Sequence, residues 1–312
     1  MRYLLGRLLS TIPVLLFVAI GVFSLLHLTP GDPAAVLAGD YATAEQIAAI
    51  RAQLGLDEPL AQRFVTWCAH ILRGDLGVSI FSGKPVRELI AQRIEPTLML
   101  AALTLVLAVA AAVPMGVLAA WKAGGWLDRL VMSAAVAGFS TPVFVVAYLL
   151  VYVFALTLEW FPTQGYVPLA QGLGPCLRSL TLPAVALAFL HMGLIARVTR
   201  AAVLEVLSQD YIRTARAKGL RQDEVLVRHA LKNAAVPIVT VVGLGVAALL
   251  GGVVVTETVF NIPGIGRLVA DAIARRDYPI VQALILIFAA VYAAINLLVD
   301  LSYLLFDPRI RY

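Results

Sequence analysis

The strongest constraint on this chain is a set of long stretches that contain no Asp, Glu, Lys or Arg. Crossing about 30 Å of hydrocarbon at 1.5 Å per residue takes roughly 20 apolar residues in a helix. Six stretches approach or exceed that length: Arg7 to Asp32, Thr97 to Trp121, Leu130 to Leu158, Ser179 to Ala196, Asn233 to Thr256 and Tyr278 to Val299. Lipid offers the backbone no hydrogen-bond partner, so each must be a helix or part of a closed barrel. The stretches are continuously apolar and rich in Ala and Leu, whereas barrel strands alternate, so the barrel fails. Composition agrees, with 61% hydrophobic and 14% charged residues against roughly 25% charged in soluble domains. The expected fold is an all-α integral membrane protein with about six transmembrane helices. The fourth stretch is the weakest, being shortest and holding Pro183 and His191.

The placement of basic residues sets the expected topology. Arg2 and Arg7 precede the first span, Lys122 and Arg129 separate the second and third, and Arg197, Arg200, Arg213, Arg216, Lys218, Arg221, Arg228 and Lys232 separate the fourth and fifth. With six spans all of them, and Arg309 and Arg311 in the tail, fall on one side, which the positive-inside rule makes cytoplasmic. Both termini are then expected inside. The net charge of +5 is accordingly read as a topology signal and not as a nucleic-acid surface. The first apolar run ends in Thr29-Pro30-Gly31-Asp32-Pro33 and not in a small-x-small cleavage site, so it is expected to stay as a span and not be removed as a signal peptide.

The organisation expected is a tail and first span over residues 1–31, a periplasmic excursion over 32–96, and a core transmembrane domain over 97–312 with a cytoplasmic segment at 205–232. The excursion carries eight acidic residues against six Lys and Arg. Within it Ala42 to Leu54 has helical spacing with Gly55 as a stop, a second helix follows Asp57-Glu58-Pro59, and Gly77 to Phe81 is a candidate short strand. The segment Arg197 to Lys232 is helical in composition and interrupted once by Gly219. The two cysteines, Cys68 and Cys176, fall in expected extracytoplasmic loops. Unpaired thiols are the ordinary reading there, and one periplasmic disulfide is the alternative.

Catalytic constellations are missing from the sequence. There is no G-x-x-x-x-G-K-[ST] phosphate loop, and Gly83-Lys84 is followed by Pro85. His27, His70, His191 and His229 show no metal-binding spacing, and no G-x-S-x-G is present. The chain is therefore expected to be no enzyme and to hold no cofactor or metal of its own. His191 lies inside a span, where an ionisable residue invites a functional reading as part of a substrate pathway. A hydrogen-bonded interhelical histidine is the more ordinary reading. Pro114, Pro142, Pro183 and Pro237, with small-residue runs near Ala108, Gly243 and Ala289, favour closely packed, pathway-lining helices over a mere anchor.

Ten segments in order carry a resemblance over essentially the whole chain: Pro30-Gly31-Asp32-Pro33; Leu54-Gly55-Leu56-Asp57 with Pro59-Leu60; Gly74-Asp75-Leu76-Gly77 with Ser79; Pro85-Val86; Pro96-Thr97-Leu98; Asp210 to Gly219; Arg228-His229-Ala230-Leu231-Lys232-Asn233-Ala234 ending at Pro237; Glu257 with Val259 to Gly266; Arg276-Asp277-Tyr278-Pro279; and Asp307-Pro308-Arg309. The sequence resembles the membrane-spanning permease subunit of a bacterial ATP-binding-cassette (ABC) importer of the dipeptide, oligopeptide and nickel family, the first of its two paired permeases. At the position of that family's E-A-A motif stands Arg213-Thr214-Ala215, with Gly219 correctly spaced but the Glu absent.

The resemblance implies a type I importer fold in the inner membrane, multi-pass, with a cytoplasmic coupling helix between spans four and five. It implies a second homologous permease, two ATPase subunits that bind ATP and Mg, a periplasmic or lipid-anchored substrate-binding protein, and surrounding lipid. Asp210, Tyr211, Arg213, Thr214, Ala215, Ala217, Gly219, Arg228 and His229 would form the ATPase-coupling element. Glu257, Asn261, Pro263, Gly264 and Gly266 would form a compact loop at the periplasmic entrance. Peptides, including glutathione-like ones, are the leading substrates, with nickel or its chelate second and a stand-alone secondary transporter a remoter alternative.

Overall fold

A computed structural model describes residues 2–28, 34–35, 43–53 and 57–306. The motif segments at 30–33, 54–56 and 307–309, and the expected boundary at 31/32, lie outside the described residues. The chain divides into two compact units, residues 1–92 with 268–291 and residues 93–267 with 292–312.

The expected all-α membrane architecture is what the chain adopts. Four helices are long and apolar enough to cross a bilayer: Val86–Trp121, Leu173–Leu207, Ala235–Val259 and Tyr278–Ser302. A fifth crossing is the pair Trp126–Ser140 and Val143–Thr157 if the two are taken as one span, for they bend by 104°. The bend has a local cause: Pro142 has no N–H to donate and pushes Thr141 out of the helical region, to φ −90° and ψ 124°. Helix α1 (Arg2–Leu28) is continuous over 27 residues and coincides with the first expected span, its described apolar stretch running Leu9–Ser24.

In the first unit, α2 (Ala44–Gln53) opens on a reciprocal cap. The Gln46 N–H donates to Thr43 Oγ1 at 3.3 Å and the Thr43 N–H to Gln46 Oε1 at 2.9 Å, so two otherwise orphaned donors are satisfied. In α3 (Leu60–Leu72), Phe64 and Trp67 stack on Phe23 of α1, with ring centroids 5.3 and 5.6 Å away. The candidate strand at 77–81 is reduced to one antiparallel bridge, Val78 to Pro85, because Gly77 at φ +81° and Gly83 at φ +64° curl the chain back on itself. After α4 (Val86–Ala91) the unit resumes at residue 268. Two motif segments about 200 residues apart then meet: buried Ser79 Oγ donates to buried Asp277 Oδ2 at 2.6 Å, and Gly77 faces Pro279.

In the second unit, α5 (Ile94–Trp121), α6 (Trp126–Ser140), α7 (Val143–Leu150) and α11 (Ala235–Val259) all pack on α8 (Leu173–Leu207). The fourth stretch, shortest in the sequence, is thus part of a 35-residue helix. Counting charge-free residues cut it at Arg178 and Arg197, yet both continue the helix. Arg178 does so by donating to the Trp160 carbonyl at 2.9 Å. Glycines bring these helices into backbone contact: a Cβ on Gly116 of α5 would lie 2.6 Å from the Ala196 carbonyl, and one on Gly138 of α6 would lie 2.8 Å from that of Phe189. The apolar core between them includes Leu100, Leu180, Leu187, Leu249 and Phe260. Both cysteines are free thiols, Cys176 buried and Cys68 partly so.

Candidate functional site

Beyond α8, the chain turns at Ser208-Gln209 into the short helix α9 (Asp210–Ala217). Its apolar period is brief. Ile212 and Ala215 are buried and pack with Val206, Leu207, Leu220 and Val225, which leaves Asp210, Arg213, Thr214 and Ala217 outward. Arg213 pairs with Asp210 at 3.4 Å with both side chains largely exposed, a contact that contributes little.

Helix α9 ends in a Schellman motif. Gly219 takes φ +80°, its N–H donates to the Arg216 carbonyl at 3.0 Å, and the Leu220 N–H reaches back to Ala215 at 3.3 Å. Leu220 adds the apolar contact that accompanies such caps. Arg221 is extended, and α10 follows as Gln222–Glu224 continuing into wider turns over Val225–Leu231. Val225, Leu226 and Ala230 are its buried residues. Asn233 Nδ2 ties the two helices by donating to Tyr211 Oη at 3.0 Å and to the His229 carbonyl at 2.8 Å. Arg228 bonds Glu224 one turn earlier at 3.1 Å. Of the sequence-predicted coupling residues, the structure therefore turns Ala215 inward, joins Tyr211 and His229 across the two helices, and leaves Asp210, Arg213, Thr214, Ala217 and Arg228 on the surface.

An ion pair that sequence reasoning missed braces the same end of the spans. Asp128, 4% exposed, takes both Nε and Nη2 of Arg200, the latter at 2.7 Å, and the Gly124 N–H at 2.9 Å. This bidentate contact clamps the start of α6 to α8 seven residues before α8 ends at Leu207. The signal available was Asp128, an acid among Lys122, Arg129 and Arg200, but as topology markers the basic residues absorbed the whole reading.

At the opposite end of α11, Glu257 is fully buried. Thr97 Oγ1 donates to its Oε1 at 2.6 Å and the Arg267 N–H to its Oε2 at 2.9 Å, while the Ile265 N–H donates to Thr97 Oγ1 at 2.8 Å. These amides are the free donors that open α12 (Ile265–Arg275), so the carboxylate and hydroxyl cap that helix. A Cβ on Gly264 would overlap the Glu257 carboxylate, and one on Gly266 would lie 2.7 Å from Val254 Cα. Asn261, at φ +53°, and Pro263 are exposed. The compact loop expected from Glu257 to Tyr278 is therefore confined to about 260–264. From Ile265 the chain is an eleven-residue helix, because Gly266 sits in its first turn as a close-packing residue and not as a breaker. Next to it, Tyr166 Oη donates to Glu95 Oε1 at 2.7 Å, the Leu169 N–H to the same oxygen at 2.8 Å, and the Gly165 N–H to the Phe260 carbonyl at 2.8 Å. Burial, then the bond to Glu95, pushes the Tyr166 hydroxyl above the usual tyrosine range.

His191 is 9% exposed, and its Nε2 has no hydrogen-bond partner among the described residues. No interhelical hydrogen bond to His191 is formed among the described residues; its Nδ1 edge faces Gly245 of α11. Thr104 and Thr199 are likewise buried with unpaired hydroxyls. Among the described residues no group of three or more His, Cys, Asp or Glu could hold a metal ion.

The chain is a multi-pass helical protein with span ends braced by an ion pair and prolonged by a capped two-helix element, and the family its sequence matches places it in the class of transport permeases. The chain is a member of the family described as binding-protein-dependent transport system inner membrane component, which matches residues 112–312, with that family's N-terminal component matching residues 1–101. It is 54% identical to a probable peptide ABC transporter permease of Sinorhizobium fredii, over 99% of each chain. It is 44% identical to the glutathione transport system permease GsiC of Salmonella typhimurium, over 100% of this chain and 99% of that one. In fold it is similar to a structure titled inward facing conformations of the MetNI methionine ABC transporter, with TM-score 0.58 and 18% identity over 70% of this chain and 96% of that one. The protein is thus an inner-membrane permease subunit of an ABC importer. Such subunits are non-catalytic and work with a partner permease, ATPases and a substrate-binding protein.

Proposed function

We propose that this permease forms half of a translocation pathway for peptides of glutathione size or somewhat larger, paired with a second homologous permease above two ATPase subunits that bind ATP and Mg. The names of its relatives favour peptides over nickel. The observation that carries the coupling role is the α9–α10 element. Its inner residues Ile212, Ala215 and Val225 pack onto the end of α8, while Asp210, Arg213, Thr214 and Ala217 face away. A rigid, capped element of this kind transmits ATPase closure to the spans instead of absorbing it.

In this reading the termini and residues 205–232 are cytoplasmic, as the Lys and Arg distribution favours. Residues 32–96 lie outside and receive the periplasmic or lipid-anchored binding protein, and 97–312 form the core. The Glu257 clasp with Gly264 and Gly266 holds α12 near the entrance and presents Asn261 and Pro263 outward. His191, buried and without a partner at Nε2, is the polar group available to a substrate when α8 and α11 part. The test is reconstitution of the four subunits in liposomes with the binding protein. ATP-dependent uptake of labelled tripeptide, with no turnover of ATP by this chain alone, is expected; ATP-dependent uptake of nickel but of no peptide would overturn the substrate class.

A further inference from the structure

The α9–α10 element has a second surface, turned toward the spans. Between it and the ends of α5 and α8 lies a cavity of about 230 Å³ lined by Ala120, Trp121, Leu207, Arg216, Gln222 and Leu226 among others. We propose that this cavity binds the phosphodiester headgroup of an anionic phospholipid, a site that rests on the membrane-spanning reading above.

Three observations support it. First, Arg216 stands one helical turn after buried Ile212 and, although exposed, lines this cavity together with Leu207 and Leu226.

Second, the rim carries donors and cations. Trp121 Nε1–H donates to Gln222 Oε1 at 3.0 Å, which fixes the amide with its NH₂ group left to donate. Lys122 Nζ sits 4.9 Å from the Trp121 ring centroid. Arg213, Arg221 and Arg228 each have a carboxylate partner, whereas Arg216 has none among the described residues.

Third, the floor is apolar, being built from Ala120, Leu207 and Leu226 at the ends of two spans. A tryptophan and basic side chains at a span end suit the bilayer surface, and basic pockets between membrane helices suit anionic headgroups. Free phosphate would leave that floor unused.

The test is native mass spectrometry of the full-length protein in detergent, titrated separately with phosphatidylglycerol, phosphatidylcholine and inorganic phosphate. Retention of phosphatidylglycerol but not phosphatidylcholine is expected. The double variant Lys122→Gln/Arg216→Gln should bind phosphatidylglycerol at least five-fold more weakly, since one basic residue near an anionic surface is worth roughly that factor. Arg216→Lys, which keeps the charge, should bind within about two-fold of the parent chain and keeps the test decisive if the double variant misassembles. Equal retention of both lipids, unchanged binding in the double variant, or displacement by equimolar phosphate would each overturn the site. In the same measurement on the assembled importer, loss of the ATPases from the double variant with lipid retention unchanged would do so too, by assigning these cations to protein docking. Because binding is read without ATP or substrate, a failed peptide-uptake assay leaves this result standing, and the reverse holds as well.

Discussion

Replacing Gly116 by alanine inserts one methyl group between α5 and α8 where there is no space for it. The new Cβ would lie 2.6 Å from the Ala196 carbonyl oxygen, 2.7 Å from Thr199 Cβ and 2.9 Å from Thr199 Cγ2. Comfortable contact begins near about 3.5 Å, so the helices must separate locally by roughly 0.9 Å. The atom nearest the methyl is backbone, which no change of rotamer relieves. Overpacking of this kind costs about 1 to 3 kcal/mol, and alanine's better helix propensity returns about 0.5 to 1 kcal/mol. A net loss of up to about 2.5 kcal/mol is expected. Gly251→Ala is the matched control, since it also lies mid-helix but has nothing within 4 Å of the added Cβ; it should gain about 0.5 to 1 kcal/mol from propensity alone. Because the propensity gain is common to both, reversible unfolding in mixed micelles should separate them by the overpacking cost alone, about 1 to 3 kcal/mol. If the two move together within about 0.5 kcal/mol, the close approach of α5 and α8 is refuted.

Other predictions address the braces and the coupling element. Asp128→Asn should destabilise by about 2 kcal/mol, less than a fully buried pair would lose because Arg200 is partly open to water; in a cycle with Arg200→Met, additivity within about 0.5 kcal/mol would show that the pair is not coupled. A Cβ added to Gly219 would meet nothing within 4 Å, yet the residue holds φ +80°, so Gly219→Val should strain the cap by about 1 to 2 kcal/mol and leave the protein inserted while lowering uptake per ATP hydrolysed; normal uptake and normal substrate-stimulated ATPase would refute the lever. The Gly77 N–H and then His70 hold the Asp75 carboxyl below the usual range. Its stabilising contribution is therefore present above the unfolded value of about 4 and fades as pH falls through the lower folded value. Hydrogen exchange at the Gly77 amide should accelerate on acidification toward pH 3 relative to the intrinsic rate, and Asp75→Asn should abolish that dependence; an unaltered pH profile in the variant would refute the assignment.

The membrane class was legible because it depends on summed apolarity, which needs no partner, and the position of Gly219 was legible because a glycine after a helical period is a local signal. Span four was misjudged in length because a charge-free count ends at Arg178 and Arg197, although each continues the helix. Gly264 and Gly266 were expected in a compact loop, but Gly266 lies in α12, and their absent side chains make room for Glu257 and for the backbone at Val254. His191 reads ordinarily as a hydrogen-bonded interhelical histidine, but its Nε2 finds no partner among the described residues.

By itself the sequence determined that the chain crosses a membrane as helices, which side its basic loops favour, and which segments resemble an importer permease, since these follow from composition, period and local motif. Tertiary structure alone decided that Asp128 meets Arg200, that Thr97 and Glu257 together cap α12, and that Ser79 meets Asp277. Each pairs residues 70 to 200 positions apart. Buried polar groups must find partners, but the sequence does not say which distant segment supplies them until the helices have packed.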